Sequence, residues 1–304
     1  MKKVKIKRKE LNCKEFIRRK AKQSDYKKLI TEDTVVIDAD SNKPVILYCT
    51  LDKDTIPLER QLNKLKFGSG KRTRGLKSSS SIFGYRPRNE IRQDYCSATA
   101  WALNNPESHA VVCSFAEEME RLYKEFLTES FEVHKNLISD KVLDDYKIND
   151  TIFTSGITNK NSALAYHFDT GNFKDCMSAM ITIKRDVSGG YLSIPEYDIG
   201  LELKQGSVLI FNGQDIMHGV TPINFYTPKA YRYTMVYYSL SRIWQCEPID
   251  DEIARVRNVK HKREQKRLLI DKDEETKEEW LKIVSKNKKE LTHKQKLLLR
   301  KGKQ

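Results

Sequence analysis

No apolar run in this chain approaches the roughly 20 residues that a membrane-spanning helix needs, so no such segment is expected. The opening stretch Met1–Glu10 also lacks the apolar centre of a secretory signal, and a chain working in the cytoplasm, or in the nucleus of a eukaryote, is expected. Six cysteines (Cys13, Cys49, Cys96, Cys113, Cys176, Cys246) are scattered without a Cys-x-x-Cys pair. That pattern gives no support to a zinc site or a disulfide framework, and reduced thiols are expected. A phosphate-cradling loop is missing too. Counting back from Gly70-Lys71, its first glycine should fall at position 65, which is Leu65.

What remains is a chain of 304 residues with 38% hydrophobic content, enough for one substantial core and read here as a monomer. Its net charge of +14 is uneven. Residues 1–30 hold 13 Lys/Arg against 3 Asp/Glu and residues 253–304 hold 18 against 8, so each is +10 and the span 31–252 is −6. Within that span, 61–92 is rich in Lys/Arg with a single acid, Glu90. The expected organisation is a basic arm (1–30), a globular domain (31–250) carrying a basic loop (61–92), and a basic helical extension (251–304). Such appendages suit a polyanion, though Lys-rich ends can equally serve solubility.

Thr34–Asp38 and Val45–Thr50 are β-rich runs flanking a turn composition. From Ser114 to Asn136, Phe115, Met119, Leu122, Tyr123 and Phe126 recur at helical spacing, which predicts one helix covering a sheet. Short strand candidates follow at 152–156, 164–169, 178–183, 191–194, 207–211 and 233–238, punctuated by Gly189-Gly190, Gly206, Asn212-Gly213 and Pro222. Many short strands with glycine turns indicate a β-sandwich or barrel.

In an extended Tyr166-His-Phe-Asp169, His167 and Asp169 share one face. Two histidines and a carboxylate on one side of iron(II) leave the other positions open for co-substrate and oxygen. His-x-Asp supplies two such ligands, and it also suits an ordinary hydrogen-bonded pair. A second histidine, His218, follows the turn Asn212-Gly213-Gln214, which can return it to the same place. Arg232 opens the last strand, and Arg232, Thr234, Val236, Tyr238 and Leu240 share a face. An arginine on an otherwise apolar strand needs an anion, either an internal carboxylate or a bound one.

The order His-x-Asp, glycine turns, His, Arg resembles the Fe(II)/2-oxoglutarate dioxygenases. The texts Gly189–Tyr197, Gly206–Gly213 and His218-Gly-Val-Thr-Pro222 are similar to the TET/JBP branch, oxygenases of the 5-methyl group of pyrimidines in nucleic acid. The resemblance covers about residues 85–245. It implies a mainly β double-stranded β-helix (jelly-roll) with flanking helices, His167, Asp169 and His218 as ligands of Fe(II), and Arg232 with Thr234 as anchors of 2-oxoglutarate, with O2 as co-substrate. Asn172 matches a base-contacting asparagine and Tyr238 a base-pocket tyrosine of that branch. Leu240 stands where the TET pattern commonly has a base-contacting histidine, which puts the choice of base in doubt. The implied activity is hydroxylation of 5-methylcytosine in double-stranded DNA with the base flipped out. Thymine, or an RNA, nucleoside or protein substrate on the same fold, is the alternative, followed by a non-catalytic nucleic-acid-binding protein.

Overall fold

Alternation of side chains along the strands decides how the layers stack. The computed structural model describes residues 1–71, 77–89 and 94–272. Its strands are β1 (Lys2–Ile6), β2 (Lys28–Ile30), β3 (Thr34–Asp38), β4 (Pro44–Thr50), β5 (Gly68–Lys71), β6 (Lys77–Arg86), β7 (Ser97–Ala98), β8 (Ser155–Lys160), β9 (Ser178–Arg185), β10 (Val187–Gly189), β11 (Leu192–Ile194), β12 (Ile199–Leu201), β13 (Ser207–Phe211), β14 (Gly219–Val220), β15 (Ile223–Phe225) and β16 (Tyr231–Tyr238). The helices are α1 (Cys13–Phe16), α2 (Ile56–Lys64), α3 (Ala100–Asn104), α4 (Pro106–Cys113), α5 (Ala116–Phe126), α6 (Thr128–Lys141) and α7 (Ile249–Lys272). None of the described helices is long and apolar enough to cross a membrane.

One large sheet runs β1-β3-β4-β13-β9-β16-β8-β6-β5, with β7 beside β6, and a smaller one runs β14-β11-β12-β2. On β16, Tyr231, Tyr233, Met235 and Tyr237 join the core shared with the helices, where Leu58 and Leu62 of α2, Val112 of α4 and Met119, Leu122 and Tyr123 of α5 are buried. Tyr237 fixes this layer further by donating its hydroxyl to Val112 O at 2.7 Å. The opposite face meets the small sheet at the β3-β4-β13 end, where Val36, Ile46, Tyr48, Leu209 and Phe211 pack on Leu192, Ile194, Ile199 and Leu201. Removing each such side chain from water contributes about 1.5–3 kcal/mol. At the β9-β16-β8-β6 end the same face lines a cavity between the two sheets. This is the expected β-rich jelly-roll with flanking helices.

The chain divides into two compact units, Met1–Ile249 and Asp250–Gln304. Of the basic extension, residues 273–304 lie outside the described residues, as do 72–76 and 90–93 of the expected basic loop.

Several local expectations need correction. Residues 1–30 are no free arm: β1 pairs in parallel with β3, and β2 in parallel with β12. Span 61–92 contains the end of α2 and the antiparallel pair β5-β6, with β6 continuing the sheet beside β8. The helix expected over 114–136 is two, because Leu127 leaves helical angles (φ −131°, ψ 44°) as its side chain is buried. The strand expected at 152–156 lies at Ser155–Lys160. Residues 164–169 form no strand; His167 makes one isolated bridge, to His218. Cys96 and Cys246 form a disulfide across a separation of 150 residues, against the expectation of reduced thiols, while Cys13, Cys49, Cys113 and Cys176 are free. Sequence spacing does not reveal a partner that the fold brings in from so far away.

Candidate metal and co-substrate centre

The two histidines meet through their backbones. His167 N donates to His218 O at 2.9 Å and His218 N to His167 O at 3.1 Å, while Asp169 N donates to Gly213 O at 2.8 Å. This ties the loop after β8 to the turn after β13 and brings the side chains of His167, Asp169 and His218 together, their ligand atoms all within 4.8 Å of one another. The expected convergence is thus present although the expected strand is not.

Each imidazole is oriented by the carbonyl two residues before it. His167 Nδ1 lies 2.8 Å from Ala165 O and His218 Nδ1 3.0 Å from Ile216 O. A carbonyl only accepts, so each Nδ1 carries the proton and each Nε2 presents its lone pair. Those Nε2 atoms face Asp169 Oδ1 at 3.7 Å and 3.9 Å. Two neutral imidazole nitrogens and one carboxylate form a donor set for a divalent transition metal, and anchoring the far ring nitrogen is how metal-binding histidines are held. Gly213 has no room for a side chain, since a Cβ there would lie 2.2 Å from Asp169 Oδ2.

Arg232 lies deeper, 2% exposed on β16. Its Nε and Nη2 have no acceptor among the described residues, and burial pushes the guanidinium down to about 10, still charged at neutral pH. Lys184 lies directly across the ladder from it. Burial lowers that ammonium, Glu202 counteracts this in part, and the neighbouring Arg232 lowers it further. A buried cation with two forked donors left over calls for a carboxylate, so this side chain fits the distal end of 2-oxoglutarate. Gly190 (φ +65°) lets the chain pass beside it, where a Cβ would come 3.1 Å from Arg232 Nε. Thr234, two residues on, stands in one ladder row with Ser80 and Asn159, and Asn159 Nδ2 reaches its Oγ1 at 3.5 Å.

A cavity of about 350 Å³ joins these groups, lined by His167, Asp169, His218, Arg232, Thr234, Asn172, Tyr238 and Leu240 among others. All eight sequence-derived site residues therefore reach one space. Asn172 pairs with Leu240 across an isolated antiparallel bridge, and Asn172 Nδ2 donates to Ser178 Oγ at 3.0 Å. Sequence reasoning missed Ser80, Asn159 and Met180, which also line the wall. Asn159 would have emerged had the strand been placed three residues later, since Ile157 and Asn159 then alternate toward the cavity.

Comparison with known proteins follows the same lines. The family model Tet_JBP, the oxygenase domain of the 2OGFeDO superfamily, matches residues 83–241. The bifunctional helicase and thymine dioxygenase JBP2 of Trypanosoma brucei brucei is 23% identical over 210 residues, 64% of this chain and 19% of that protein. Its counterpart in Leishmania braziliensis is 25% identical over 150 residues, 49% of this chain and 13% of that protein. The chain thus spans a fifth or less of the length of these curated relatives. The solved structure of NgTET1 in complex with 5mC DNA superposes with a TM-score of 0.55 at 16% identity, covering 73% of this chain and 81% of that one, a likeness of fold.

Proposed function

Because this chain belongs to the Tet/JBP oxygenase family, whose domain model matches residues 83–241, we propose that it is an Fe(II)/2-oxoglutarate-dependent oxygenase hydroxylating the 5-methyl group of 5-methylcytosine in DNA. The observation that carries this reading is the His167–Asp169–His218 cluster sharing one cavity with the Arg232 donors that have no acceptor among the described residues. Iron with 2-oxoglutarate and oxygen, when bound, supplies the oxidation of the methyl group, with succinate and carbon dioxide as coproducts. His167, Asp169 and His218 would hold the metal. Arg232 and Thr234 would hold the distal carboxylate of the co-substrate. The apolar wall of Met180, Leu192, Val220 and Val236 keeps water from the reacting methyl.

Base choice falls to Asn172, Tyr238 and Leu240. With its amide nitrogen donating to Ser178 Oγ, Asn172 offers a base its carbonyl oxygen, an acceptor that suits the exocyclic amine of cytosine. Tyr238 offers a ring for a base extruded from the duplex. Thymine is the second reading, favoured by the thymine dioxygenase relatives and by Leu240, which makes no polar contact through its side chain. Mass spectrometry of nucleosides from treated oligonucleotides decides between them: hydroxymethylcytosine is expected, hydroxymethyluracil alone would select thymine, and neither product alongside steady succinate release would remove 5-methylpyrimidines in DNA as substrates.

We assign to the basic segment 251–304 the role of drawing in the DNA backbone. Counterion release scales with the phosphates contacted, and residues 253–304 carry 18 basic against 8 acidic side chains, +10 net. Deleting 253–304 should weaken DNA binding and flatten its salt dependence while leaving metal binding intact. An unchanged slope in a salt titration would assign the tail elsewhere.

A further inference from the structure

Outside the cavity, ion pairs concentrate where the segment before β2 meets the residues that flank the metal site. Arg8 donates to Glu196 Oε1 at 2.8 Å and to Asp215 Oδ2 at 2.7 Å, and also to Asp215 O at 2.6 Å. Glu196 is buried, 5% exposed, and its other oxygen accepts the Met217 N–H at 2.7 Å. Met217 immediately precedes His218. Arg8 and Glu196 together therefore fix the Ile216–Met217 peptide, whose carbonyl lies 3.0 Å from His218 Nδ1 and orients that histidine of the triad.

The other histidine is held the same way from the same segment. Tyr166, fully buried, precedes His167; its N–H donates to Arg19 O and its carbonyl accepts from Arg18 N, both at 2.9 Å. Its hydroxyl lies 2.9 Å from Asp25 Oδ2 and 2.7 Å from Ser193 Oγ. Asp25 is itself paired with Arg19 at 2.9 Å, and that guanidinium stands over the Tyr166 ring. The ring in turn rests on Gly219, where a Cβ would come within 2.8 Å, so Tyr166 braces the residue after His218 as well.

We propose that residues 8–25 form a two-point clamp on the metal site, in which Arg8–Glu196 positions His218 and Asp25–Tyr166 positions His167. This rests on the reading of His167, Asp169 and His218 as metal ligands. The ligand histidines come from a loop and a turn joined by a single two-bond backbone bridge rather than by a continuous ladder, and the clamp holds the residues on either side of that bridge. Partners that orient metal ligands typically contribute about 10- to 100-fold in metal affinity. Arg8, Asp25, Tyr166 and Glu196 do not line the cavity; they are positioning residues.

The test is an anaerobic titration of the full chain with Co(II), followed by visible absorption, with the melting temperature of each metal-free protein measured alongside. Wild type should bind one equivalent. Glu196→Ala and Tyr166→Phe should each weaken binding about 10- to 100-fold and shift the absorption bands. Glu196→Gln, which retains an oxygen for the Met217 N–H, should restore most of the affinity lost in Glu196→Ala. Co(II) binding by Glu196→Ala and Tyr166→Phe at wild-type affinity would overturn the clamp alone. Losses that are equal in Glu196→Ala and Glu196→Gln and track their melting temperatures would overturn it too. Absence of binding by wild type would overturn the metal reading and the clamp with it.

Discussion

Asn172 and Leu240 are neighbours across a single antiparallel bridge, so two of the positions to which base choice is assigned in our proposal sit side by side on the cavity wall. A change at one is read in the presence of the other. Asn172→Ala should lower turnover of methylated DNA about threefold to tenfold, the worth of one neutral hydrogen bond. Leu240→His should change the ratio of hydroxymethylcytosine to hydroxymethyluracil on matched oligonucleotides. Ratios equal to wild type would take position 240 out of base selection.

Arg232 is the co-substrate anchor in this reading, and replacing a planar fork with a point charge removes its paired geometry. Arg232→Lys should raise the KM for 2-oxoglutarate about ten- to a hundredfold, corresponding to about 1.5–3 kcal/mol for hydrogen bonds to a charged group. Metal affinity should be unaltered. Unchanged co-substrate dependence would place the anion elsewhere.

At Gly213, a Cβ would lie 2.2 Å from Asp169 Oδ2 and 3.2 Å from His218 Cε1. Gly213→Ala should displace the carboxylate and cut metal binding at least tenfold while the melting temperature stays within a few degrees. Metal titration and calorimetry on the same sample check both halves; full metal affinity would show that the turn yields without moving Asp169.

His134 gives a prediction for acid stability. Burial pushes its imidazole down to about 3 from the ordinary 6.5, and its Nε2 bonds Ser239 Oγ at 2.8 Å. Because the folded value is depressed, the unfolded chain takes up the proton first. The contribution is complete above pH 6.5 and is lost as pH falls toward 3, at about 1.4 kcal/mol per unit. Between pH 6.5 and 5 this residue should therefore cost about 2 kcal/mol of stability in urea unfolding. His134→Gln should remove that component of the slope, and parallel pH dependences for the two proteins would contradict it.

The site was more legible than the segments that carry it. Alternation along β16 placed Arg232, Thr234, Tyr238 and Leu240 on one face correctly, because a regular strand obeys period two. His167 and Asp169 converge for another reason, the paired backbone bonds to His218 and Gly213, which no local pattern encodes. Ile152-Phe-Thr looked more like a strand than the polar Ser155–Lys160, yet β8 pairs on both edges and most of its residues are buried, so tertiary pairing overrode composition. Residues 1–30 misled most. Their basic composition suggested an arm outside the globular domain, while Arg8, Lys9 and Arg19 find their acids at Glu196, Asp198 and Asp25, two of them far along the chain.

The parallel pairing of β2 with β12 has a consequence in time. Lys28–Ile30 finds its partner at Ile199–Leu201, so on a ribosome adding about 5–20 residues per second the earlier strand waits on the order of ten seconds or more for its neighbour. Pairing across so long a stretch is slow even after synthesis, because loop closure precedes any gain from the contact. What is made first is seated last, and refolding experiments should find the β2 edge gaining amide-exchange protection after the β9-β16-β8 ladder has closed.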